Sequence, residues 1–344
     1  MNATFERHTL ELEEPFTIAR GTQETVENVV VRIEDDGEVG LGAAAPSTHY
    51  GETADTVEAV LPRLFEALDR LDSPLEFERA HAEMAHVIND NPAAKAAVDI
   101  ALHDLAAKQL GVPGYRLLGL DPAETVTSSF TVGLADTPAM RRKAEDAVAA
   151  GYDTLKVKLG TGHDLKIMDA IRTAAPDATV RVDANEAWSP REAVSKIEAL
   201  VAYDVEFVEQ PVAAENHEGC KYVYERAALP IAADESCLTA TDIPRVAEMA
   251  DIANAKLMKT GGVRPAVKLL HTAKAHGLET MLGCMIETNL AIAAGVHLSP
   301  LLDYADLDGS LLLADDPYGG PTFEGGHIDL TDVTRPGLGT FPRE

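Results

Sequence analysis

Cysteine is scarce in this chain. The three present, Cys220, Cys237 and Cys284, are odd in number and far apart. They form neither a disulfide framework nor paired zinc-ligand motifs, which fits a reducing, cytoplasmic setting. Long apolar runs are also missing, since none reaches the ~18 residues needed to span a bilayer. The opening MNATFERHTL has no basic stretch followed by an apolar one, so no signal peptide is expected. Positive charge is in short supply: 29 Lys and Arg stand against 57 Asp and Glu, a formal net charge of −28. Such a surface repels nucleic acid and anionic membranes, so neither is an expected partner. The carboxylates are spread along the chain rather than gathered in a block. That favours a solvated surface suited to high salt, the habit of halophilic proteins, over an acidic interaction tail.

What is present points to an ordered α/β protein. Hydrophobic residues make up 46% of 344 positions, enough for a sizeable core. The length suits a barrel of roughly 250 residues plus a smaller partner domain. Residues 1–122 read as an α+β unit. Val29–Ile33 and Val39–Gly42 are short strands joined at Asp35-Asp36-Gly37, a hairpin signal. Helical spacing follows over Thr53–Leu68 and Pro92–Leu110, the second stopped by Gly111 and Pro113. From about 123 to 316, short β-branched runs alternate with amphipathic stretches. The spacing predicts strands at Thr127–Val132, Thr154–Lys158, Thr179–Val182, Glu206–Val208, Ile231–Ala233, Ile252–Leu257, Thr280–Leu282 and Tyr304–Leu307. It predicts helices at Pro138–Ala150, Leu165–Ala174, Arg191–Leu200, Ile243–Ala250 and Pro265–His276. Eight strands alternating with helices argue for a closed parallel barrel, with its reactive face at the strands' C-terminal ends. Residues 317–344, rich in Gly and Pro, fit a tail returning to the first domain.

Lys158, Asp183, Glu209, Asp234 and Lys256 each fall at or just after a predicted strand end, at steps of about 25 residues, one strand–helix unit. A carboxylate at a strand end is by itself more often a helix cap or a solvated loop residue. Five charged groups in register are another matter, because a barrel gathers them into one pocket. Three carboxylates cannot share a low-dielectric pocket without a compensating cation. With no His or Cys nearby, the oxygen donors suit Mg²⁺ before Zn²⁺. The lysines are candidate proton carriers. Lys156 and Lys158 point the same way along a strand, and each would lower the other's pKa, as would a bound cation. The alternative for K-V-K is a surface edge strand, but helices cover barrel strands.

These residues carry a resemblance. The segments T-L-K-V-K-L-G, R-V-D-A-N, V-E-Q-P, A-D-E-S and N-A-K-L-M-K-T-G-G resemble, in this order and spacing, the muconate lactonising enzyme subgroup of the enolase superfamily. The helix N-P-A-A-K-A-A-V-D-I-A-L-H-D-L-A-A-K is also similar to one common there. The resemblance implies a modified TIM barrel, (β/α)₇β, with an α+β capping domain built from the N-terminal segment and the C-terminal tail. It implies Asp183, Glu209 and Asp234 as ligands of one Mg²⁺, with Lys158 and Lys256 as acid/bases on opposite faces of the substrate. Lys156 would hold the substrate carboxylate. This superfamily is itself a standard example of a Lys or His base working with Mg²⁺. The interval from Asp234 to Lys256 is slightly short beside some relatives, which leaves Lys259 as the fallback.

At the eighth strand, Asp306-Leu307-Asp308-Gly309 matches the D-x-D of dipeptide epimerases, where the two carboxylates hold the substrate's α-ammonium. Two inward anions attracting a cation is sound electrostatics by itself; an exposed Asp-rich loop is the alternative. The implied reaction inverts the α-carbon of a dipeptide's C-terminal residue by two-base 1,1-proton transfer through an enolate. N-acylamino acid racemase, o-succinylbenzoate synthase and muconate cycloisomerase are the runners-up and do not require the D-x-D pair. A mandelate-racemase-like histidine base has no counterpart at the seventh strand, and His297 falls in the following helix. Gly283–Thr288 also resembles these enzymes, with Glu287 a second-sphere candidate. No triad or P-loop is present. A non-catalytic barrel would have no reason to carry this set together. Substrate side-chain preference is expected to lie in loops 18–22 and 47–53, where Arg20 either pairs with an acidic substrate or is a surface arginine. Relatives of the family often assemble, so a homo-oligomer is an expectation of the resemblance alone.

Overall fold

The computed structural model describes residues 1–321 and 324–343. An antiparallel sheet opens the chain: β1 (Asn2–Ile18), β2 (Gly21–Asp35) and β3 (Glu38–Ala44), in that order. The expected hairpin joins β2 to β3. Asp36 and Gly37 both take positive φ, 50° and 83°, as a two-residue hairpin turn requires. The helix Pro92–Leu110 lies across this sheet. Its contact is close because β3 carries glycines: a Cβ on Gly40 or Gly42 would meet the Ala101 or Ala97 carbonyl oxygen at 2.1 or 2.2 Å. The helices Ala54–Leu68 and Phe77–Val87 complete this unit.

The second sheet has eight parallel strands in sequence order: β4 (Phe130–Val132), β5 (Thr154–Lys158), β6 (Thr179–Asp183), β7 (Val205–Glu209), β8 (Ile231–Ala233), β9 (Ile252–Lys256), β10 (Glu279–Gly283) and β11 (Tyr304–Asp306). The bridge between Ser128 and Ala305 brings the first and last strands together. Among the described residues a helix follows each of the first seven strands, so the order is (β/α)₇β. Two expectations shift. Residues 127–129 lie outside β4, with Thr127 and Ser128 held by isolated bridges to His327 and Ala305. The helix expected over Ile243–Ala250 covers only Ile243–Val246, because the chain must turn through residues 247–251 to enter β9 at Ile252.

Alternation sorts the barrel strands into two faces. On β5, Leu155 and Val157 join the main core under the helices, while Lys156 and Lys158 point inward. Inside, Phe207, Ala232, Ile252 and Met281 pack with Tyr304, and Arg181 stacks over the Phe207 and Tyr304 rings at 5.4 and 5.1 Å. This apolar plug fills the N-terminal half of the barrel and leaves the C-terminal half for charge.

Three buried carboxylates tie the segments together. Asp99, on the helix Pro92–Leu110, accepts the N–H groups of Val263 and Arg264 at 2.6 and 3.2 Å, capping the helix Val263–Ala275 that follows β9. Asp104 accepts from Leu41 and Leu338 at 2.9 and 2.8 Å and pairs with Lys108. The tail therefore docks on the same helix as the first sheet, and Gly114 N–H bonds Gly337 O. Glu52 caps that helix's N-terminus through Ala93 and Ala94. The three cysteines are free thiols. Among the described residues no helix is long and apolar enough to cross a membrane.

Candidate active site

Strand register sets the geometry of the site. Lys158 pairs with Asp183, and Asp183 pairs with Glu209, across β5, β6 and β7. Lys256 pairs with Gly283, and Gly283 with Asp306, across β9, β10 and β11. The five strand-end residues thus lie at one level of the barrel mouth, and all are buried. In an eight-strand barrel, β5 and β9 are four strands apart in either direction. Lys158 and Lys256 therefore stand on opposite walls. The carboxylates Asp183, Glu209 and Asp234 occupy the three strand ends between them.

The amines and carboxylates are in contact. Lys158 Nζ is 2.7 Å from Asp183 Oδ2, and Lys256 Nζ is 2.7 Å from Asp234 Oδ2. Lys156 Nζ lies 2.8 Å from both Glu209 Oε2 and Asp306 Oδ2, and 3.4 Å from Asp183. Burial disfavours every charge here, and the partners decide the balance. Burial pulls the Lys156 amine down, but Asp306, Glu209 and Asp183 outweigh it and hold it well above its ordinary range. Asp234 likewise raises Lys256 against the pull of burial. For Lys156 the expected lowering by a neighbouring ammonium is outweighed, because its amine faces more negative charge than positive. Burial pushes Asp183 and Asp234 up, yet Lys158 and Lys256 respectively bring both well below the usual carboxylate range. Glu209 rises to about 7, through burial, despite Lys156.

These residues fit a hard divalent ion. The donors are carboxylate oxygens on three consecutive strands, the set such an ion prefers. Glu209 Oε2 is buried and, despite its nearness to Lys156, makes no aligned hydrogen bond among the described residues. Lys259 is not in competition for the cavity. It is buried on the helix Leu257–Thr260, with Nζ on Asp234 Oδ1 at 2.5 Å and on the Asp234 and Asn254 carbonyls. Lys256 lines the cavity, with Gly283 beside it where a Cβ would come 3.1 Å from its Cε.

The cavity holds about 790 Å³ between the barrel mouth and the first domain. Lys156, Lys158, Lys256, Asp306, Asp308 and Arg20 all line it. Asp306 accepts from Ser129 Oγ at 2.6 Å, and Asp308 accepts the Thr131 N–H at 2.6 Å. Burial and the charge of Asp306 raise Asp308 to about 6. Glu287, on the loop after β10, is buried and raised to about 8 by that burial.

Several supporting residues escaped the sequence reading. Asn254 donates to Glu209 Oε1 at 2.9 Å; its place two residues before Lys256, on the same strand face, was the available signal. Asn185 holds both Asp183 oxygens at 2.8 and 3.1 Å from a positive φ of 43°. Gln210 accepts from the Asp234 and Ser236 N–H groups at 3.0 and 3.1 Å, itself at φ 33°. Such strained backbone at strand ends is where sites concentrate. A separate group, His49, Glu186 and Glu235, has ligand atoms within 4.8 Å of one another. Its cation is already present: Arg20 Nη1 reaches Glu235 and Glu186 at 2.6 and 3.1 Å.

Comparison with known proteins accords with this geometry. The model for the mandelate racemase / muconate lactonizing enzyme N-terminal domain matches residues 2–119, and that for the enolase C-terminal domain-like family matches 139–344. The chain belongs to the enolase superfamily. An L-Ala-D/L-Glu epimerase of Bacteroides thetaiotaomicron is 37% identical over 99% of this chain and 88% of its own length. A hydrophobic dipeptide epimerase of Enterococcus faecalis is 40% identical over 90% of each. The crystal structure of the dipeptide epimerase from Enterococcus faecalis, complexed with Mg and the dipeptide L-Leu-L-Tyr, superposes with a TM-score of 0.92 at 37% identity, over 98% of each chain. Within the superfamily, then, the relatives described here are isomerases acting on dipeptides.

Proposed function

We propose that this superfamily member is a Mg²⁺-dependent dipeptide epimerase that inverts the α-carbon of the C-terminal residue. One observation carries the reading: two lysines on opposite walls of the barrel, with three carboxylates on the strands between them. The relatives' names favour dipeptides over N-acylamino acids, succinylbenzoate or muconate.

Asp183, Glu209 and Asp234 would hold one ion. When bound, Mg²⁺ supplies a Lewis acid for the substrate carboxylate, whose oxygens gain negative charge as the α-proton leaves. Lys156, which lies between Glu209 and Asp306, would donate to that carboxylate. Lys158 takes the proton from one face of Cα, and Lys256 delivers one to the other. A single lysine could not reach both faces of a fixed substrate. Asp306 and Asp308 receive the free α-ammonium and fix which carbon lies between the amines. Asn254 and Asn185 orient Glu209 and Asp183. Residues of the first domain, Arg20, Asn28 and Tyr50 among them, wall one side of the cavity. The acidic composition and the free cysteines support a cytoplasmic, salt-rich setting.

The test is exchange of the Cα proton in D₂O with a dipeptide mixture, with and without EDTA. Metal-dependent deuterium uptake at the C-terminal residue, with inversion, is expected. Exchange that survives full chelation, or none with any dipeptide, contradicts the reading.

A further inference from the structure

We propose that Asp164 is a positioning residue for the Lys158 half of the reaction. This rests on the epimerase reading and deepens it. β5 ends at Lys158, and the last backbone bond beyond it runs from the Leu159 N–H to the Asp183 carbonyl at 2.9 Å. The chain then turns at Gly160, φ 107°, and one carboxylate gathers the loop. Asp164 opens the helix Asp164–Ala174 and is only 3% exposed. Its Oδ1 accepts the Gly160 N–H at 3.1 Å, the Thr161 N–H at 2.7 Å and the Thr161 hydroxyl at 2.8 Å. Its Oδ2 accepts the Trp188 indole N–H at 3.1 Å and the Lys196 ammonium at 2.7 Å. Donors on both oxygens of a buried carboxylate fix its place and, through it, the path of the loop.

Asp164 is not among the described residues that line the cavity, so it acts through others. Its reach is one-sided. A Cβ on Gly160 would come 2.6 Å from Ala187 Cβ and 3.0 Å from Ala19 Cβ. The loop has no slack on that side, and a change in its path passes back to Lys158, two residues earlier. The loop after β6 meets Asp164 through Trp188, but it has its own ties to the loop after β7. Glu186 N–H bonds the Gln210 carbonyl at 2.8 Å, and Trp188 N–H bonds the Pro211 carbonyl at 3.0 Å. Among the described residues, no partner of Asp164 lies on β8, β9 or β10 or in the loops after them. The Lys256 wall therefore stands without it. Lys158 carries its amine on a flexible stem, and a misplacement of ~1 Å in a reacting group costs about a hundredfold in rate. Loss of the Asp164 carboxylate thus falls on one face of the substrate.

The test offers Asp164→Ala the two α-epimers of an L-Ala dipeptide, each alone, in D₂O with Mg²⁺. Lys256→Ala, which keeps Lys158, identifies the epimer that Lys158 deprotonates. We expect kcat for Cα exchange of that epimer to fall about tenfold, with KM within about twofold of wild type. Exchange of the opposite epimer should change by less than about twofold. A role in stability alone would lower both rates together. Asp164→Asn keeps one acceptor oxygen and should show the same one-sided loss, smaller in size; if the alanine variant does not fold, this variant decides. A loss shared equally by both epimers, a loss confined to the opposite one, a change in KM alone, or no change overturns the inference. Failure of wild-type exchange with every dipeptide would sink the underlying reading and this inference with it. Wild-type exchange with an even-handed loss in the Asp164 variants would sink the inference alone.

Discussion

Replacing Asp99 by alanine should loosen the joint between the first domain and the barrel. Asp99 Oδ2 accepts the Val263 N–H at 2.6 Å and the Arg264 N–H at 3.2 Å, at the start of the helix that follows the Lys256 strand. A hydrogen bond to a charged group contributes about 1.5–3 kcal/mol, and a carboxylate at a helix N-terminus about 0.3–1 more. The first bond is short and buried, so it sits at the upper end. The second is longer and Arg264 is exposed, so water recovers part of it. Removing the carboxylate also relieves its own desolvation, which pulls the net back. The balance is a loss of about 3 kcal/mol. With an unfolding entropy of ~2.1 cal/mol/K per residue, that is roughly 4 °C in Tm for a chain of this length. Asp99→Asn keeps an acceptor oxygen and should lose only about 1 kcal/mol. Thermal and urea unfolding followed by circular dichroism measure both variants, at low KCl and at high. Because the bonds are buried, the loss should be the same at both salts. A loss under about 1 kcal/mol for Asp99→Ala, or one that vanishes at high salt, would refute the reasoning.

Asp306→Asn and Asp308→Asn should each raise KM for free dipeptides about tenfold or more, the size of losing one partner of a buried charge pair. N-acetylated dipeptides should lose much less, and equal losses for both would remove the ammonium role. His297 makes stability fall in acid. Burial lowers it to about 4, and its Nδ1 accepts the Tyr115 N–H at 3.1 Å. The unfolded chain, with a pKa near 6.5, takes the proton first as pH falls. Stability should therefore drop through pH 6.5 to 4, by about 2 kcal/mol at pH 5, and His297→Asn should flatten that part of the curve in urea titrations. Parallel curves for the two proteins would contradict this.

Much of the fold could be read because barrel strands are short, β-branched and regularly spaced. Pro92–Leu110 was bounded correctly because Pro at its start and Gly111 after its end are strong local signals. β1 was missed for a physical reason. Its segment TFERHTLELEEPFTI is rich in Glu and mostly exposed, so it shows little of the apolar alternation that marks a strand. Phe77–Val87 was missed because only Ala80 and Met84 are buried on it. At the site, the strand-end charges stood out through their spacing. The partners of Arg20 did not, since Glu186 and Glu235 reach it from loops 166 and 215 residues away. No periodicity links such positions; only closure of the barrel does.

The sharpest test of opposed bases uses Lys158→Ala and Lys256→Ala, each offered the two α-epimers of an L-Ala dipeptide separately in D₂O with Mg²⁺. Neither variant should epimerise. Each should exchange the Cα proton of one epimer only, and the two variants should choose opposite ones. Exchange of both epimers by either variant, or of the same epimer by both, would contradict the placement of the two amines on either side of the substrate.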